Sequence, residues 1–129
     1  MKTEQHAISL KRLYELWQTG DAASISREFS DKLTFEIKGR SRIAGKHDRS
    51  QFTALMSKMK ELSAGTLNSE IHDMLVSERH GMVLATHKLM RDGKALEYRS
   101  VHVWRFENGL PIAGYEYLRD QSQFDEIWG

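Results

Sequence analysis

Apolar residues recur along this chain at two spacings, one helical and one of strict alternation. Between about Thr3 and Thr19, Leu10, Leu13, Tyr14 and Trp17 fall at i, i+3, i+4 and i+7, which predicts a helix with one apolar stripe. Gly20 reads as its C′ residue, and Asp21 as the N-cap of a short helix from Ala22 to Phe29. Lys32 to Lys38 then alternates Leu33, Phe35 and Ile37 with polar neighbours, the pattern of a half-buried strand. Residues 39–45 read as a loop or short irregular strand. A second stripe of Phe52, Leu55, Met56, Met59 and Leu62 predicts a helix from Ser50 to Ser63, capped by Asp48 or Ser50. Strands follow over Thr66–Ser77, over Met82–Met90, from Lys94 onward, and over Ile112–Leu118. Phe124, Ile127 and Trp128 return to helical spacing, so the tail is expected to dock.

The most informative stretch runs from Ala95 to Leu118. Asn108-Gly109 is a type I′ turn signal, because both residues tolerate positive φ. Tyr98, Ser100, His102, Trp104 and Phe106 alternate onto one face of the strand before it. With a two-residue turn, Glu107 pairs with Leu110. Regular pairing then sets Trp104 opposite Ala113, His102 opposite Tyr115 and Ser100 opposite Tyr117. One face would carry His102, Trp104, Tyr115 and Tyr117 together, an aromatic wall with polar groups in it. Glu116 would point to the other face, with Glu97, Arg99, Val101, Val103 and Arg105.

Helices gathered ahead of an antiparallel meander predict an α+β class. The expectation is a single domain over residues 1–129, with a curved, mostly antiparallel sheet around the Ser50–Ser63 helix and a cone between sheet and helices. Composition narrows the function. The formal net charge is +1, so no global field recruits nucleic acid or an anionic membrane. The chain has no cysteine, which removes disulfides, thiolate catalysis and cysteine-based metal sites. Its polar start reads as neither signal peptide nor anchor, and no apolar run approaches a membrane span, so a cytoplasmic protein is expected.

Three stretches carry a family resemblance: LYELWQTGDAASISREFSDKLTFEI, VHVWRFENG and YEYLRDQSQFDEIWG. Together with the element order they resemble the nuclear transport factor 2-like superfamily, whose cystatin-like fold is shared by ketosteroid isomerase, limonene epoxide hydrolase and SnoaL-like cyclases. The resemblance implies the cone-shaped fold over nearly the whole chain. It implies activity poorly, because one scaffold carries many chemistries. The isomerase's aspartate base aligns to Ile37, which cannot accept a proton. Its protonated aspartate aligns to His102, which can still donate to an oxyanion. Its helix-one tyrosine aligns to Leu13 rather than Tyr14. The Arg-x-Asp strand of the epoxide hydrolase reads ATHKLM here, so that triad is absent.

His102 and Tyr115 are therefore the candidate catalytic pair, set against a core histidine that simply bonds a tyrosine. Trp17, Phe35, Phe52, Met56, Met59, His87, Tyr98, Trp104 and Tyr117 are the candidate ligand-binding residues, set against ordinary core packing. With Asp92-Gly93 as a second two-residue turn, His87 lies opposite Tyr98 and Val83 opposite His102. If the preceding hairpin turns at Arg79-His80, His72 joins them in a row. No third ligand completes a metal site, so neither a metal nor another cofactor is expected. The basic loop of Lys38, Arg40, Arg42, Lys46, His47 and Arg49 reads as solvated, or as a guide for an anionic ligand. Three functions remain open: an isomerase, cyclase or hydrolase acting on an oxygen-bearing apolar molecule, a non-catalytic binder of such a ligand, and a dimeric interaction module. A homodimer through the outer sheet face is expected. A cavity of several hundred Å³ facing His102 favours the first two readings, and a filled core the third.

Overall fold

The computed structural model describes residues 2–19 and 21–129, so the cap expected at Gly20 lies outside the described residues. Helix α1 spans Lys2–Thr19 and α2 spans Ala22–Ser26, shorter than the spacing predicts. Asp21 caps α2 by accepting the Ser24 backbone N–H at 3.1 Å. Strand β1 is Thr34–Ile37, and β2 is Gly45–Asp48, an edge strand at the end of the stretch read as loop. Helix α3 covers Arg49–Leu62 and starts from a capping box in which Asp48 and Gln51 satisfy each other's backbone N–H. Strands β3 (Asn68–Val76), β4 (His80–Arg91), β5 (Lys94–Glu107) and β6 (Leu110–Leu118) form the meander, and α4 (Gln121–Ile127) closes the chain.

The six strands make one sheet in the order β2-β1-β6-β5-β4-β3. Every neighbouring pair is antiparallel except β1 with β6. Both glycine turns form as the sequence predicts. Asn108 and Gly109 have φ of 53° and 79°, and Asp92 and Gly93 have 52° and 76°, the signs that a type I′ hairpin needs. Glu107 pairs with Leu110 and Arg91 with Lys94.

The register does not stay regular beyond the Asn108-Gly109 turn. Phe106 pairs with Pro111 while Arg105 pairs with Ala113, so Ile112 is an extra residue in β6. Pro111 has no N–H for the ladder, and its carbonyl accepts the Ser30 N–H at 3.0 Å. A bulge is where a strand tolerates proline. The inserted residue inverts the parity of everything after it. Glu116, not Tyr115, stands opposite His102, while Tyr115 faces Val103 and Tyr117 faces Val101. Tyr115 and Tyr117 therefore lie on the outer sheet face, 37% and 59% exposed, and Glu116 turns inward at 7%.

A second bulge on β3 does the same to His72. Ile71 pairs with Ala85 and Asp73 with Leu84, so His72 is the unpaired residue and Ser69 takes the place opposite His87. His72 instead bonds Thr86 Oγ1 at 2.6 Å, and the row with His87 and Tyr98 does not form.

The concave face of the sheet and helices α1 to α3 enclose the core, built on Leu10, Leu13, Phe29, Phe35, Phe52 and Trp104. Phe35 stacks on Phe52 with centroids 4.4 Å apart, and Trp104 lies 5.2 Å from Phe35. Gly114 makes this possible: a Cβ there would run into the Phe35 ring and approach Trp104 to 2.7 Å. The backbone of β6 is thus the wall against which both aromatic rings pack.

Candidate active site

The face of β5 that alternation assigns to the interior is buried as predicted, with His102 at 1% exposure and Ser100, Trp104 and Tyr98 beside it. Tyr14, on the buried side of α1, reaches this face. Its hydroxyl lies 2.5 Å from His102 Nδ1 and accepts the Trp104 indole N–H at 3.0 Å. His102 Nε2 lies 2.7 Å from Glu116 Oε2. The direction of this line follows from Trp104, whose indole can only donate. Tyr14 oxygen accepts from Trp104, its O–H donates to His102 Nδ1, and the His102 Nε2–H donates to Glu116. Every polar hydrogen then has an acceptor. A proton on Nδ1 would leave the buried Tyr14 hydroxyl hydrogen without one.

A second buried histidine extends the network. His87 Nδ1 is 2.7 Å from Ser69 Oγ and its Nε2 is 2.8 Å from Ser100 Oγ. Ser100 in turn lies beside Glu116. The His87 ring stacks on Tyr98 at 4.7 Å and lies 5.5 Å from His102. Burial, then the neighbouring His102, push the His87 imidazole down to about 4, with Glu116 opposing. It is therefore neutral at pH 7. Burial by itself raises the Glu116 carboxyl, but His102, His87 and Ser100 more than offset this and hold it below the ordinary carboxylate range. Burial lifts the Tyr14 phenol well above its ordinary value, so it stays a donor. The site is one buried carboxylate bonded by His102 and set beside a neutral His87.

Glu116, His102, His87 and Tyr98 line a small internal cavity together with Trp17, Phe35, Phe52 and Met59. Its volume is about 10 Å³, room for a single water at most. A larger recess of about 250 Å³ lies next to it, between α1, α2, α3 and the segment before β3. Trp17, Met59 and Leu67 border both spaces and separate them.

Of the residues singled out in the sequence, the fold brings Trp17, Phe35, Phe52, Met59, His87 and Tyr98 to the inner cavity with His102. Met56 lines the outer recess. Trp104 lies behind the site and acts through Tyr14. Tyr115 and Tyr117 face away, so the pairing of His102 with Tyr115 is replaced by His102 with Glu116. Sequence reasoning missed Glu116, Tyr14, Ser69 and Ser100 as site residues. Pro111 inside an otherwise regular strand was the available signal for the bulge that turns Glu116 inward. Tyr14 stood in the apolar stripe of α1. Its offset from the isomerase alignment hid a side chain long enough to reach β5.

The ligand atoms of His87, His102 and Glu116 lie within 4.8 Å of one another, a spacing that a divalent ion can span. Each imidazole nitrogen already has a partner at 2.5–2.8 Å. Coordination would break bonds that the fold satisfies, at about 1–3 kcal/mol for each group left unpaired. Glu116 is thus the third ligand that the sequence did not supply, and in this structure the three groups are engaged in hydrogen bonds.

The fold has solved counterparts. A protein named Bal32a, from a soil-derived mobile gene cassette, is 28% identical, with a TM-score of 0.94 and full coverage of both chains, 100% and 100%. A protein with a cystatin-like fold from Xanthomonas campestris is 25% identical, with a TM-score of 0.87 over 96% of this chain and 98% of that one. An LEH-like epoxide hydrolase from M. tuberculosis shares the fold at 14% identity, with a TM-score of 0.77 over 99% and 92% of the two chains. No curated protein matches the chain. Among the described residues, no helix is long and apolar enough to cross a membrane. The SnoaL-like domain model matches residues 10–113, most of the chain and every element from the middle of α1 into β6, and the protein belongs to that family.

Proposed function

We propose that the protein is a proton-transfer enzyme acting on a small apolar molecule that bears oxygen, with Glu116 as the group that takes the proton. The observation that carries this reading is the buried Tyr14–His102–Glu116 line ending at an aromatic-lined cavity. At neutral pH Glu116 is ionised and shielded from bulk water, so it can take a proton, and its low value leaves positioning rather than basicity to supply the rate. His102 steadies the carboxylate through Nε2–H, and Tyr14 fixes the ring that does so. The base then sits on β6 rather than at Ile37, where the steroid isomerase has its aspartate. Isomerase, cyclase and hydrolase chemistry all begin with such a step, removing a proton beside a carbonyl or from a water.

The test is deuterium uptake from D2O into small apolar ketones such as cyclohexenone. Wild-type protein should catalyse exchange beside the carbonyl, and Glu116→Gln should lower the rate by about 10²–10⁴-fold. Exchange that is no faster with wild type than with Glu116→Gln would overturn the assignment.

An interaction module is the second reading. The observation favouring it is the inner cavity beside His102, whose volume of about 10 Å³ is that of a filled core and admits no ligand until Trp17, Met59 or Leu67 moves. In that case apolar ketones would neither bind nor exchange.

A further inference from the structure

The outer recess has a chemical bias that the inner cavity lacks. Its floor is apolar, formed by Trp17, Ile25, Met56 and Met59. Its rim carries Gln18, Thr19, Ser57 and Lys60, and no acidic residue. Gln18 spends its amide on the Ser69 carbonyl, and the Thr19 hydroxyl donates to the Leu16 carbonyl at 2.7 Å. Lys60 makes no ion pair among the described residues. It stands exposed in the last turn of α3 and is the one charged residue that lines the recess.

We propose that this recess is the outer half of the ligand site and that it selects an apolar carboxylic acid, with the carboxylate on Lys60 and the chain on Trp17, Met56 and Met59. This builds on the acid–base reading, because it names the class of molecule that reaches Glu116. The recess and the inner cavity share the wall of Trp17, Met59 and Leu67, so a ligand anchored at Lys60 points its far end at that wall. Methionine flexes without losing contact, and displacement of this wall joins the two spaces. The anchoring end is anionic and the buried end meets an anion, Glu116. The acid group therefore stays outside and the neutral, reactive end goes in. At about 250 Å³ the recess falls just below the usual range of ligand pockets, so only a short chain fits it.

Octanoate and 1-octanol make the comparison, read by the indole signal of Trp17 in ¹⁵N-labelled protein. Octanoate should shift that signal and bind about tenfold more tightly than octanol, the worth of one charge-assisted hydrogen bond at a partly exposed site. Lys60→Gln should erase the preference and Lys60→Arg should keep it. Equal affinity for acid and alcohol overturns the proposal, as does a preference that survives Lys60→Gln. So does a Trp17 signal that stays still while others move. None of these outcomes depends on Glu116. A failed selectivity therefore leaves the acid–base reading standing, and failed deuterium exchange leaves the recess assignment standing.

Discussion

Tyr14 shows how one hydroxyl can organise a site. It accepts from Trp104 and donates to His102, so Tyr14→Phe leaves two buried polar groups unpaired at once. The expected loss is about 1–3 kcal/mol for each, read by urea unfolding. His87 makes a different prediction. In the unfolded chain it takes its proton near 6.5, and in the folded protein only near 4. Between those values the unfolded state holds more protons. Stability is therefore full above pH 6.5 and falls as the pH drops through that window, by about 3 kcal/mol in all. Glu116 acts in the same sense at lower pH. Its folded carboxyl titrates below the ordinary 4.5, so what the pair contributes is present above 4.5 and lost as the pH falls through the folded value. His87→Gln should flatten the decline between pH 6.5 and 4 and leave the steeper acid limb in place. An unchanged profile in that variant would show that another group is responsible.

Among the elements, β6 decides the most with the fewest residues. The local signals were legible. Alternation marked the inner face of β5, Asn108-Gly109 set the turn, and Asp92-Gly93 placed His87 against Tyr98. What local pattern did not yield was the parity of β6, because a bulge adds a residue without changing composition. The cause is tertiary: Pro111 cannot join the ladder, and its carbonyl is taken by Ser30 from the segment after α2. The fold class survives such an error and the site does not, since one extra residue exchanged Tyr115 for Glu116. Gly114 tests the same strand. Gly114→Ala would press a methyl into Phe35 and Trp104, and overpacking of this kind costs about 1–3 kcal/mol. A neutral Gly114→Ala in urea unfolding would mean that those rings do not pack on the β6 backbone.

At the scale of the molecule, the bulge also shapes the outer surface. Tyr115 and Tyr117 join Leu75, Met82, Val101 and Val103 on the convex face, where four of the six are well exposed. Glu97, Arg99 and Arg105 flank them. We propose that a second copy covers this face, because a patch of this composition with charges of both signs is self-complementary across a two-fold axis. Light scattering at micromolar concentration should then report a dimer, and Tyr117→Asp together with Met82→Asp should give a folded monomer. A wild-type monomer would contradict the proposal and leave the interior untouched.

The interior is tested most directly by the imidazole of His102. The hydrogen-bond line from Trp104 through Tyr14 puts its proton on Nε2, facing Glu116, and leaves Nδ1 bare to accept from Tyr14. Side-chain ¹⁵N NMR distinguishes the two ring nitrogens by their couplings to the ring protons. At neutral pH His102 should give the spectrum of a fixed Nε2–H tautomer with a slowly exchanging proton, and Glu116→Gln should disturb it while Tyr115→Phe does not. A proton found on Nδ1, or a His102 signal that ignores Glu116→Gln and responds to Tyr115→Phe, would contradict it.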